Sequence, residues 1–177
     1  MQIKQLINDN PAVIVVVSIV LLLLAGLRFT MALGGSTLSE DKWMFDLNAG
    51  ALVLASRGTV APVEIDTGVF QYPGMGPAGS VVDVALYSCE GSVKLAPGMT
   101  VSELDAKGVR VGFLSRYPDE VLSVLMSEQG NAMTEAPVLI SDVSGQKWVG
   151  QESRPGAEIM DKVGGMCGGD LPKMLRR

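Results

Sequence analysis

Trp43-Met-Phe-Asp-Leu-Asn-Ala-Gly-Ala-Leu-Val-Leu-Ala55 is the stretch whose reading decides the fold. Trp43, Phe45 and Leu47 alternate with Met44 and Asp46, the period-two pattern of a strand with one buried face. Asn48-Ala49-Gly50 follows, with Gly where a three-residue hairpin loop needs a left-handed backbone. Ala51 to Ala55 then returns as the second strand. A hairpin marked this clearly predicts an antiparallel sheet.

Working outward toward the C-terminus, Val60 to Ile65 is extended, and Pro62 confines it to an edge or to no strand at all. Asp66 to Gly79 reads as a loop carrying Phe70, Tyr72 and Pro73-Gly-Met-Gly-Pro-Ala-Gly79. Gly74, Gly76 and Gly79 spell G-x-G-x-x-G. The dinucleotide reading needs a helix opening there, whereas Pro77 and the β-branched run that follows give none. Val81 to Cys89 is the best central strand. Val93 to Leu95 could pair back on it, Val101 to Lys107 is a helical turn stopped by Gly108, and Val109 to Ser115 is a further strand. Pro118-Asp-Glu opens a helix to about Ser127, with acids where the macrodipole favours them. Its Val121, Leu122, Val124 and Leu125 should lie on the sheet. After a loop at Gly130 to Glu135, Pro137–Ile140 and Lys147–Val149 form a second hairpin around Asp142 to Gly145. Gly156 to Val163 is a short helix. About six strands and two or three short helices joined by turns predict a mostly antiparallel α+β domain over 43–163.

Working toward the N-terminus, Gly34 to Lys42 is a tether, and before it the composition changes. Pro11 to Leu27 carries no charge. At about 1.5 Å per residue it covers roughly 25 Å of a hydrocarbon core of about 30 Å. Phe29 to Leu33 continues the apolar character past Arg28, whose guanidinium can snorkel to the headgroups at the membrane interface. Asn10 caps the run and Pro11 occupies its first turn. The reading is a single transmembrane helix at 11–33 behind a short amphipathic leader at 1–10. Ala32-Leu33-Gly34 also resembles a signal-peptidase site, so a cleaved signal peptide is the alternative. Lys4 against Arg28 and Lys42 leaves the orientation undecided by charge.

From Gly34 onward twelve Lys and Arg stand against eighteen Asp and Glu, a net charge of −6. Such an acidic domain is a poor nucleic-acid binder. The residues 164–177 read as a Gly-rich tail with basic Lys173, Arg176 and Arg177. The chain has no His, which removes the commonest general base and metal ligand, and no G-x-S-x-G elbow. No catalytic, metal or cofactor site emerges. Cys89 and Cys167 either pair in an oxidising compartment or remain two separate thiols. Pairing would close a loop of roughly 80 residues, worth about 4–5 kcal/mol. Trp43, Phe45, Phe70, Tyr72 and Trp148 are core residues or, where exposed, contacts for a partner.

The order of these pieces resembles a group of small single-pass envelope proteins of planctomycete-type bacteria. The matching residues are Ile7, Asn8, Asn10 and Pro11 for an "INxNP" leader, and Phe45, Asp46, Leu47, Asn48 and Gly50 for a "FYDLNTG" segment. Cys89, then Tyr117 and Pro118, then Trp148, Val149, Ser153, Gly156, Ile159, Met160 and Cys167 complete the pattern. The chain departs from it in an Ala96–Gly108 insertion and in Arg154-Pro155 for Pro-Glu. The resemblance implies an inner-membrane anchor with the domain in the periplasm, and brings no activity with it. The expected function is a membrane-anchored, non-enzymatic interaction or structural subunit of a bacterial envelope assembly. Its expected partners are the lipid bilayer and other proteins of a membrane complex. A tethered small-ligand or thiol-redox domain is the alternative.

Overall fold

The structure, a computed structural model, describes residues 41–126, 136–168 and 170–176. The expected leader, the span at 11–33 with Arg28, and the loop at 130–135 lie outside the described residues. Among the described residues no helix is long and apolar enough to cross a membrane.

The opening hairpin is present as β1 (Asp41–Asp46) and β2 (Ala51–Ser56), paired from Asp41 opposite Ser56 to Asp46 opposite Ala51. The loop holds four residues, 47–50, because the Asp46 carbonyl accepts from Gly50 N–H at 2.8 Å; Gly50 has φ +64°. β1 takes in the last two residues assigned to the tether, since the Lys42 amine pairs with the Asp83 carboxylate on the neighbouring strand.

The run at 66–79 is a small hairpin of its own and not a loop: β3 (Val69–Tyr72) pairs with β4 (Gly76–Gly79). Pro73-Gly74 makes the turn, with Met75 N–H donating to Tyr72 O at 3.1 Å and Gly74 at φ +77°, the type II geometry. The Asn48 side-chain amide donates to the carbonyls of Thr67 (2.9 Å) and Val69 (3.0 Å), binding this hairpin to the first.

β5 (Val81–Ser88) is central, flanked by β1 on one edge and β6 (Val109–Arg116) on the other. β7 (Leu139–Ser141) and β8 (Val149–Gly150) extend the sheet, giving the order β2-β1-β5-β6-β7-β8 among the described residues, with each neighbouring pair antiparallel. Where β5 and β6 splay, the stretch 61–63 wedges between them. Val63 exchanges backbone bonds with Val81 at 2.9 and 3.0 Å, and Tyr117 N–H donates to Ala61 O at 3.1 Å.

Among the described residues three helices complete the α+β domain. α1 (Val101–Ala106) starts on a capping box in which Thr100 and Glu103 satisfy each other's backbone N–H. α2 (Asp119–Leu125) follows Pro118, which occupies the cap position, and buries Val121 while Val124 stays 38% exposed. Seven residues are too few for the broad apolar face that the sequence suggested. α3 (Arg154–Gly164) is capped by the Ser153 hydroxyl, which accepts from Gly156 N–H. Val93 and Leu95 do not form a strand; they pack on the core from irregular chain.

One face of the sheet carries the main core of Phe45, Leu52, Val82, Leu86, Val109 and Leu114, covered by Leu104 of α1, Met99 and Tyr72. A smaller cluster contains Met44, Val81 and Ala61. The described residues of the expected tail are fastened to the domain. Cys167 is bonded to Cys89, and β9 (Lys173–Met174) pairs with β5 on the edge that β1 leaves open.

Candidate functional site

Arg116 is the least expected residue of the interior, 2% exposed at the end of β6. Its position follows from a bulge. Ala85 faces Phe113 but Leu86 faces Val111, so Gly112 is an extra residue that flips the phase of the strand. Val109 and Leu114 then point into the same core, and Arg116 follows Leu114 inward. Only glycine fits at the bulge, because a Cβ there would lie 2.5 Å from the Tyr87 ring.

The guanidinium stacks on the Tyr72 ring, 4.1 Å from its centroid, within the range of a cation–π contact. Nη2 pairs with the Asp119 carboxylate at the start of α2, and Nε donates to Tyr117 O at 3.1 Å. Nη1, and the Ser141 hydroxyl on the adjacent strand, are buried without a hydrogen-bond partner among the described residues. The Tyr72 hydroxyl donates to Gly79 O at 2.7 Å. Burial pushes its pKa up to about 12, against the opposing pull of the Arg116 cation. The ring continues edge-to-face to Phe70 (5.0 Å) and Trp148 (5.6 Å), and Trp148 Nε1 donates to Gly145 O at 2.8 Å.

Of the five aromatics named as partner contacts, the structure thus joins Phe70, Tyr72 and Trp148 into one cluster. Tyr72 is fully buried and Phe45 is 2% exposed, so of the two readings left open for them both take the core one. Trp43, Phe70 and Trp148 are partly buried against that core. The cause is strand phase: Trp43 and Phe45 share the sheet face that α1 covers, and Tyr72 is the inward residue of β3. Arg116 went unnoticed in the sequence because its inward phase depends on the Gly112 bulge.

The other chemically distinctive feature is the Cys89–Cys167 disulfide, spanning 78 positions. It sits at the end of β5, with Cys89 exposed and Cys167 half-buried. A groove runs between the backbone stretches Ala136–Val138 and Gly150–Ser153. Part of that backbone is already engaged: Gln151 N–H donates to Val138 O at 2.9 Å and the Ser153 hydroxyl to Gly150 O at 2.6 Å. Among the described residues no three His, Cys, Asp or Glu side chains converge as a metal site would require. The Gly74, Gly76 and Gly79 series serves the hairpin: two glycines have positive φ, and a Cβ on the third would lie 2.1 Å from the Val63 backbone. Comparison with protein-family models, with curated proteins and with solved structures finds no match for this chain.

Proposed function

We propose that this chain is a membrane-anchored, non-enzymatic interaction or structural subunit of a bacterial envelope assembly. It has a single span at 11–33 and its domain on the periplasmic side of the inner membrane. The observation that carries the reading is the Cys89–Cys167 disulfide. Disulfides persist in oxidising compartments and are rare in a reducing cytosol. The bond therefore supports an exported domain, which the charges flanking the apolar run could not decide. The uncharged run from Pro11 to Leu27 supports the anchor, and the likeness to single-pass envelope proteins supports the membrane assigned.

Thiol mapping in intact cells tests the compartment. Cys89 and Cys167 should resist alkylation until a reductant is added, whereas two thiols alkylated directly would count against export. The same map separates this reading from a thiol-redox one, in which a fraction of the pair would cycle through the reduced state. Purification of the full chain in mild detergent with mass spectrometry tests the assembly. Stoichiometric co-purifying membrane proteins are expected, and recovery as a lone monomer would overturn the subunit role.

A further inference from the structure

The residues after Cys167 end in a strip unlike the rest of this acidic domain. Leu171 is 86% exposed and Met174 49% exposed, and exposed Lys173 and Arg176 stand between and beside them. β9 places Met174 opposite Tyr87 and Lys173 opposite Ser88, and Leu175 N–H donates to Leu86 O at 2.8 Å. β1 lies along the same edge of β5, with Met44 opposite Asp83. β1 is antiparallel to β5, so from Met44 back to Asp41 it runs toward the end of β5 on which β9 pairs. The chain therefore enters the domain at the end of the sheet that carries the strip.

That placement limits the distance from a bilayer. The residues 34–40 separate β1 from the end of the proposed span. A chain reaches at most about 3.3–3.6 Å per residue, so this connector spans roughly 25 Å when fully extended. Exposed Leu and Met side chains flanked by Lys and Arg suit a membrane surface: the apolar groups enter the acyl boundary and the cations meet anionic headgroups. The disulfide and the β9 pairing hold the strip against the sheet, so it can dock preformed.

We propose that residues 171–176 seat this end of the domain on the anionic lipid headgroups of the membrane in which the chain is anchored. The proposal rests on the anchor reading given above. It leaves the opposite end of the sheet, with the 47–50 turn and nearby Val143, facing away from the lipid; Gly145 packs against Leu47 there.

The test uses the full chain in vesicles of phosphatidylcholine with and without phosphatidylglycerol. A nitroxide is attached at Leu171→Cys or, as the far-end control, at Val143→Cys, and its collisions with a nickel-chelating lipid are measured. The label at 171 should collide several-fold more than the label at 143 when phosphatidylglycerol is present. Adding Lys173→Glu with Arg176→Glu should lower the docked-to-free ratio by about thirtyfold or more. Equal collisions at both positions, in a chain that alkaline carbonate does not extract, overturn the docking strip and leave the anchor standing. Extraction by carbonate overturns both. Contact that ignores lipid charge and the two Glu substitutions, and grows with protein density, identifies a second copy as the occupant and overturns the lipid assignment.

Discussion

Arg116 holds a cation in the interior, and its two neighbours respond to mutation differently. Asp119, with its side chain 52% exposed, is the carboxylate that neutralises it. Asp119→Ala leaves a buried charge uncompensated and should cost about 2–4 kcal/mol, somewhat less than a fully buried pair because water reaches one partner. The exposed Arg154–Glu158 pair is the contrast: Glu158→Ala should shift stability by less than about 0.5 kcal/mol. Urea midpoints of the two variants measure the difference. Tyr72 sets an alkaline limit. Its folded pKa is near 12 and its unfolded value near 10, so the fold binds the neutral phenol more tightly than the unfolded chain does. The resulting stability is complete below about pH 10 and is lost as pH rises from 10 to 12, about 2–3 kcal/mol in all. Tyr72→Phe should flatten that decline, as denaturant midpoints from about pH 9 to about pH 12 will show.

At the scale of elements, the β3–β4 hairpin is held by its neighbours more than by its own sequence. Gly76, Pro77 and Gly79 are poor strand residues; Gly76 serves the hairpin by its positive φ of +94°, and Gly79 by the close approach of the Val63 backbone. Gly79→Ala would push a Cβ into the Val63 backbone, and we expect a loss of about 2 kcal/mol or more, read as a lower urea midpoint. α1 depends on its first turn. Thr100 N–H and Oγ donate to Glu103 Oε2 at 2.8 and 3.0 Å, which holds the Glu103 carboxyl below its ordinary range. Thr100→Ala should cost about 1 kcal/mol by thermal unfolding. The contribution of Glu103 is present above the ordinary glutamate pKa and fades as pH falls through the lowered one.

For the whole molecule, the disulfide determines how the C-terminal residues belong to the domain. Cys89→Ser with Cys167→Ser removes a cross-link closing the loop that holds β6, β7 and β8, and the loop length predicts a loss of about 4–5 kcal/mol. Amide exchange at Leu175, which bonds to Leu86 O, should rise toward the unprotected rate in that variant while the β5–β6 amides stay protected. Equal protection at Leu175 in the oxidised protein and the double variant would show that β9 pairing alone holds the tail.

The sequence by itself determined the β1–β2 hairpin, the central place of β5 and the short helices at 101 and 154, because each rests on local signals: alternation, caps and turn glycines. These signals are short-range, so they survive without knowledge of what packs where. Tertiary structure alone decided three features. The Pro- and Gly-rich run at 66–79 became a hairpin because Asn48 and Tyr72 supply contacts from outside it. The two cysteines became a bond because β5 and the chain after α3 meet at one end of the sheet. Arg116 turned inward because one extra residue at Gly112 shifts the strand's phase, and a shift of one residue in a period of two exchanges the faces.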